Sequence, residues 1–162
     1  MLVTWREMRR KLEQEYLSDC LKEHIQYYVT TYRKSADDEG RAAIRLDGKE
    51  VLQGNYFNTW HRWRDKYYTL DDRHLNLGAF DQRDFYAAFW EFDNQSIEKS
   101  LQSENLIVRI FAVLDRRIGK RRLLQMQETI QNEPVNFQTF YVIRMEAEGL
   151  LNHENISSEE CL

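Results

Sequence analysis

The spacing of apolar and polar residues along the chain predicts a helix, then three strands, then a series of helices. Near the N-terminus, Thr4 can cap a helix whose apolar residues recur with helical spacing from Trp5 to Tyr16. β-Branched and aromatic residues then predict strands at Ile25–Arg33, Ala42–Leu46 and Lys49–Gln53. Polar residues predict the turns between them at Ser35–Gly40 and at Asp47-Gly48, the second being a two-residue hairpin.

The apolar spacing becomes helical after Gly78. Asp81 and Ser103 are candidate N-caps. Helices are predicted over Phe85–Phe92, Leu106–Leu114, Leu123–Ile130 and Val135–Glu148. Ile97 and Leu101 indicate either a continuation of the first of these or a separate helix. The last segment also alternates like a strand at its start, but the glycine that follows it favours a helix. We therefore expect one α+β domain over residues 1–152 and a polar tail over 153–162. The domain would pack an antiparallel β-meander of about three strands with the N-terminal helix and four or five C-terminal helices.

The segment Asn58–Thr69 is predicted either as a short helix capped by Asn58 or as a strand ending at KYYTL. As a helix it would place three aromatic rings on one face, those of Trp60, Trp63 and Tyr67. Its run WHRWRDKYY also interleaves aromatic rings with cations, which is how single-stranded nucleic acids are held. Trp60, Trp63 and Arg64 are therefore secondary candidates for a binding site, although aromatic rings at helical spacing more ordinarily face a core.

The charge is distributed unevenly along the chain. The formal net charge is −4, yet the eight residues Asp115–Arg122 (DRRIGKRR) carry five cations and one carboxylate, so the rest of the chain carries −8. This composition argues against a uniformly basic nucleic-acid-binding domain. It raises the question of which anions accompany the cations of this block.

Helical phase divides the basic block at Gly119. Leu123 does not continue the apolar stripe of the preceding helix, so we expect that helix to end at Gly119 and a new one to begin. Arg116 and Arg117 would then lie in a last turn, which favours positive charge. The three cations Lys120, Arg121 and Arg122 would lie in a first turn, which disfavours it. They should pair with carboxylates of the protein or with a bound anion.

A resemblance covers nearly the whole chain. Residues 96–123, SIEKSLQSENLIVRIFAVLDRRIGKRRL, together with YRKSADDEGRAAIRLDGKEV, GAFDQRDFYAAFWEF and FYVIRMEAEGL, resemble a family of small, uncharacterised bacterial proteins. Its most specific part is an apolar residue followed by Asp-Arg-Arg-Ile-Gly-Lys-Arg. The resemblance implies a bacterial cytoplasmic protein with a recurring motif at Asp115–Leu123. It implies no activity, cofactor or catalytic residue.

Other chemistry is weakly represented in the sequence. The two cysteines, Cys20 and Cys161, fit a reducing cytoplasm and no disulfide framework. The N-terminus lacks the apolar core of a signal peptide, and no apolar run approaches the roughly 20 residues of a membrane span. Cys20 and His24 alone do not supply the four ligands of a structural zinc site, so we expect no metal and no cofactor. The GxSxG and HExxH motifs are absent, which leaves an enzyme without support.

The sequence therefore favours a non-catalytic binding protein with another protein as its partner. The candidate anion-binding or partner-binding residues are Arg116, Lys120, Arg121 and Arg122. Asp115, Arg117 and Gly119 are expected to build the junction that carries them. One alternative is a nucleic-acid-associated protein. Another, based on size and acidic charge, is an immunity-like or antitoxin-like inhibitor of a basic partner.

Overall fold

The structure, a computed structural model, describes residues 3–32, 39–65 and 69–151, without the side chains of residues 63–65. The predicted tail at 153–162 and most of the predicted turn Ser35–Gly40 lie outside these residues. The predicted α+β class is confirmed, since a three-stranded antiparallel sheet is packed with an N-terminal helix and several C-terminal helices.

The N-terminal helix α1 (Trp5–Arg10) begins where the sequence predicts. The side-chain oxygen of Thr4 accepts a hydrogen bond from the N–H of Glu7 at 3.2 Å, which caps the helix. The helix continues as a π-helical segment at Lys11–Tyr16. A 3₁₀ turn at Asp19–Leu21 then leads into the sheet.

The sheet is a simple meander whose strand order follows the sequence. Its strands are β1 (Ile25–Thr31), β2 (Gly40–Leu46) and β3 (Lys49–Asn55). The predicted hairpin is confirmed, because Asp47 and Gly48 have φ angles of 50° and 83°, the two positive values that a type I′ turn requires. Tyr27 and Ile44 lie opposite each other and are both buried, so this face of the sheet packs against the helices.

The helices after the sheet are α2 (Trp60–Asp65), α3 (Asp72–Asn76), α4 (Gln82–Asp93), α5 (Ile97–Leu101), α6 (Leu106–Val113), α7 (Lys120–Met126) and α8 (Val135–Ala147). Asp81 caps α4 as predicted. The predicted cap Ser103 is wrong, because Asn105 caps α6. Asn55 caps the 3₁₀ turn Tyr56–Asn58, which precedes α2 and was not predicted. In both cases an asparagine oxygen reaches an N–H two or three residues further on, a bond that asparagine makes readily.

The centre of the core is α6, in which seven of eight residues are buried. A helix that is apolar on nearly all sides belongs inside a protein. The ring of Phe111 on this helix meets Tyr27 of β1 edge-on at 5.4 Å, and Phe85 and Phe92 of α4 at 5.7 and 5.9 Å. These ring contacts join the sheet to the C-terminal helices. Within the described part of the chain, no helix combines the length and the apolar content needed to cross a membrane.

Candidate functional site

The basic block begins in a turn between α6 and α7, which we call the motif turn (residues 114–119), and continues into the first turn of α7. Arg116 and Arg117 lie in this turn, so the prediction that they complete the last turn of a helix is wrong. The physical reason is long-range backbone pairing. The N–H of Arg116 donates to the carbonyl of Tyr16 at 2.7 Å, and the N–H of Ser18 donates to the carbonyl of Leu114 at 2.9 Å. The chain leaves the helix to make these bonds with the N-terminal segment.

Gly119 has a different role from the predicted one. It is the N-cap of α7 rather than the residue just past the end of α6, and its backbone is extended, with φ −85° and ψ 172°. This conformation is open to any residue. Lys120, Arg121 and Arg122 do occupy the first turn of α7, as predicted.

Asp115 and Arg117 form a pair within the motif turn. The carboxylate of Asp115 is buried and accepts hydrogen bonds from Arg117 Nε at 3.1 Å and Nη2 at 2.9 Å. The backbone N–H of Arg117 donates to the same carboxylate at 2.7 Å. The Arg117 guanidinium also lies 4.9 Å from the ring centroid of Tyr16 and 5.5 Å from that of Phe92. Hydrogen bonding to Asp115 raises the pKa of Arg117. The positive charge of Arg117 is therefore paired with a carboxylate of the protein.

The sequence did not point to Arg144, whose buried side chain holds the backbone of the motif turn through hydrogen bonds. Arg144 lies on α8 with only 2% of its surface exposed. Its guanidinium donates to three backbone carbonyls, those of Val113 at 3.0 Å, Asp115 at 2.7 Å and Ile118 at 2.6 Å. The fork of donors on arginine suits such a cluster of acceptors. A possible signal was the i, i+4 spacing of Arg144 and Glu148, two charged residues beside the apolar stripe of α8.

Glu148 neutralises Arg144 and joins it to the N-terminal segment. Its carboxylate accepts from Arg144 Nε at 2.9 Å, from the hydroxyl of Ser18 at 2.5 Å and from the thiol of Cys20 at 3.5 Å. Burial alone would raise the pKa of Glu148, but the hydrogen bonds from Ser18, Arg144 and Cys20 hold it below its ordinary value. Burial and the nearby Glu148 raise the pKa of the Cys20 thiol, which makes this cysteine a poorer nucleophile.

The five cations of the block therefore differ in their partners. Arg117 pairs with Asp115, and Arg122 pairs with Glu98 at 3.0 Å on the surface. Among the described residues, no carboxylate lies within the 4 Å ion-pair distance of the three other cations, which are all exposed: Arg116, Lys120 and Arg121. These three are called the cation trio below.

Two of the three cations, Arg116 and Lys120, lie near the 3₁₀ turn Asp19–Leu21. The pKa of Asp19 is lowered, chiefly by its hydrogen bond from Lys22, with a smaller contribution from Arg116. Lys120 likewise makes a lowering contribution to the pKa of the Cys20 thiol, which burial and Glu148 raise overall.

The secondary candidates are only partly described. Trp60 is 49% exposed and stacks on His61, with ring centroids 3.8 Å apart. The interpretation that this ring faces the core is therefore wrong. Residues 60–65 form α2, which excludes the strand alternative there. The side chains of Trp63 and Arg64 lie outside the described structure, as does Tyr67.

The described residues show no metal centre. His, Cys, Asp and Glu side chains do not gather there in groups of three that could hold a metal ion. Cys20 and His24 do not share a helix, and His24 Nδ1 instead lies 2.7 Å from a carboxylate oxygen of Asp47. Cys161 lies outside the described residues.

Comparison with known proteins identifies a family. Searches of curated proteins and of solved structures returned no match. A scan against protein families matched residues 4–145, which contain the motif turn, the cation trio and Arg144. This agrees with the expectation of a family resemblance over nearly the whole chain. The chain belongs to the SF0329 protein family.

Proposed function

We propose that this protein is a non-catalytic binding protein whose cation trio recognises an acidic segment of another protein. The observation that carries the proposal is that Arg116, Lys120 and Arg121 are exposed without an ion pair among the described residues. Exposed cations on a chain of net charge −4 are not explained by the general charge balance. An acidic peptide segment would supply the carboxylates that these cations lack.

The rigidity of the motif turn supports a recognition role. Arg144 fixes three carbonyls of this region, and the Asp115–Arg117 pair fixes its centre. A turn held in this way loses little conformational entropy when a partner binds, and pre-organisation of this kind improves affinity. The same turn pairs with the N-terminal segment, so the backbone on both sides of the cation trio is held.

The charges around the trio favour a protein over a nucleic acid. The residues outside Asp115–Arg122 carry a net charge of −8, and exposed carboxylates lie near Arg116, on Asp19, and beside Arg122, on Glu98. These carboxylates would repel a phosphate backbone over distances of about 10 Å. A short acidic segment can contact three cations and avoid the flanks. The proposal includes a bacterial cytoplasm as the location, and the resemblance of the motif and the sparse cysteines support that part of it.

The test uses four labelled probes and fluorescence anisotropy. The probes are an Asp/Glu-rich peptide, a Lys-rich peptide, a single-stranded oligonucleotide and a duplex. The variant Arg116→Glu/Lys120→Glu/Arg121→Glu is compared with Arg6→Glu/Lys49→Glu/Lys99→Glu, which replaces three exposed cations elsewhere on the chain. Both variants change the net charge from −4 to −10, since each substitution lowers the charge by two.

We expect the acidic peptide to bind and the trio variant to weaken binding at least tenfold, with the control variant much less affected. Binding should also weaken between about 50 and 200 mM salt. Preferential binding of an oligonucleotide would replace the proposal with the nucleic-acid alternative. Preferential binding of the Lys-rich peptide would replace it with the inhibitor of a basic partner. Equal losses in the two variants would show that the trio is not the site.

A further inference from the structure

A cavity of about 180 Å³ lies beside α7. It is lined by residues of α5, α6, α7, α8 and the 3₁₀ turn Ile130–Asn132. Its apolar lining comes from Leu101, Met126, Ile130 and Phe137. Its charged lining comes from Arg109, Arg122 and Glu133, so the charged groups in contact with the cavity sum to +1.

Arg109 lines this cavity and has one hydrogen-bond donor that the described residues do not use. Its Nη2 donates to Glu133, and its guanidinium carbon lies 4.8 Å from the ring centroid of Phe137. Its Nε is buried without a hydrogen-bond partner among the described residues. Leaving a buried donor of a charged group unpaired costs free energy, which a small movement of the Arg109 guanidinium towards an acceptor in the cavity would recover.

Arg122 adds a second guanidinium at the rim of the cavity. It is held by Glu98 through a 3.0 Å ion pair in which both side chains are about half exposed. Pairs of this kind contribute little free energy because solvent screens them. Arg122 can therefore exchange Glu98 for another carboxylate at small cost.

We propose that this cavity binds a small organic monocarboxylate with a compact apolar body. The carboxylate would accept hydrogen bonds from Arg109 and Arg122, and the apolar part would pack on Met126, Ile130 and Phe137. The volume limits the ligand, because 180 Å³ corresponds to about six water molecules at about 30 Å³ each. The proposal does not depend on the cation trio, none of whose members lines the cavity.

The test is a titration with benzoate followed by two-dimensional NMR of the ¹⁵N-labelled protein. Benzamide serves as the neutral isostere and benzylamine as the cationic one. We expect benzoate to shift amide signals of α7 and α8 saturably, with a dissociation constant on the order of 1 mM. Benzamide and benzylamine should bind at least fivefold more weakly.

Two surface variants make the test independent of folding. Arg122→Gln should weaken benzoate binding at least fivefold, and Glu98→Gln should strengthen it about twofold or more, because Arg122 is then free. Arg10→Gln is the matched control, since Arg10 forms a similar exposed pair with Glu15, and it should leave binding unchanged. The proposal is overturned if benzoate produces no saturable shifts up to about 10 mM. It is equally overturned if benzamide or benzylamine binds as well as benzoate, or if Glu98→Gln weakens binding.

Discussion

The guanidinium of Arg144 donates a 2.7 Å hydrogen bond to the backbone carbonyl of Asp115, 29 residues earlier in the chain. Two further hydrogen bonds of the same guanidinium reach the backbone carbonyls of Val113 and Ile118. The shape of the motif turn therefore depends on one buried side chain from the last helix. The first prediction follows from this dependence.

Replacing Arg144 with Met should lower the free energy of unfolding by about 3 to 5 kcal/mol. The variant leaves three backbone carbonyls without their donor and leaves Glu148 without its cation. Urea unfolding at pH 7 measures the change. Arg10→Met is the control, because Arg10 is half exposed and pairs with Glu15 on the surface; it should cost less than about 1 kcal/mol. A loss in Arg144→Met as small as in the control would contradict the organising role.

Asp115→Asn tests the charge of the pair with Arg117. Asparagine keeps an oxygen that can accept the backbone N–H of Arg117 but loses the charge that holds its guanidinium. We expect a loss of about 2 kcal/mol in urea unfolding, because the carboxylate is buried and Arg117 is only partly exposed. Glu98→Gln removes a carboxylate from an exposed pair and should cost under about 1 kcal/mol.

Stability should fall in acid because of Glu148. Hydrogen bonds hold the folded-state pKa of Glu148 below its ordinary value of 4.5. A lowered folded-state pKa contributes stability above the unfolded pKa, and that stability is lost as the pH falls through the folded pKa. Wild type should therefore exceed Glu148→Gln in free energy of unfolding at pH 7, and the gap should shrink below about pH 4.5.

Urea unfolding of both proteins at neutral and acidic pH measures this gap. Glu146→Gln changes an exposed residue of the same helix. It should differ much less from wild type in free energy of unfolding over the same pH range. A gap for Glu148→Gln that stays constant with pH would mean that the carboxylate charge of Glu148 does not stabilise the fold.

Gly119→Asp should be tolerated and should raise the free energy of unfolding by a few tenths of a kcal/mol, up to about 1 kcal/mol. Gly119 is an N-cap with a negative φ, and a Cβ there would meet no atom within 4 Å. Aspartate would cap α7 and place a carboxylate near its three cations. Gly48→Asp is the control, since Gly48 is equally open but has φ +83°; it should lose about 1 kcal/mol. Thermal unfolding compares the two, and a destabilised Gly119→Asp would refute the capping role.

The elements predicted correctly were those that local chemistry determines. The Asp47-Gly48 turn needs two positive φ angles, and these residues adopt them readily, so the hairpin was readable from the sequence. Thr4 and Asp81 cap helices with their own side chains. Helix α7 begins at Lys120, and this start was predictable because the helical spacing of the apolar residues is interrupted at Gly119. Each of these features depends on residues within a few positions of one another.

The features that escaped prediction depend on contacts between distant segments. Arg116 left the helix because Tyr16, one hundred positions earlier, accepts its N–H. Arg144 was passed over because charged residues in helices are usually exposed, and only the packed structure brings carbonyls around its guanidinium. Trp60 had core-like spacing, yet half of its surface is exposed. Periodicity indicates which face of a helix is apolar, but it does not indicate whether other segments of the chain cover that face.

The end of the family match has a practical consequence for anyone who trims this protein. The match stops at residue 145, between Arg144 and Glu148. A chain cut at that boundary would keep a buried cation and lose the anion that neutralises it, together with the acceptor for Ser18. It would also lose Gly149, whose positive φ of 70° terminates α8. The smallest fragment that should retain the native motif turn therefore extends past the recognised family boundary, at least through Gly149.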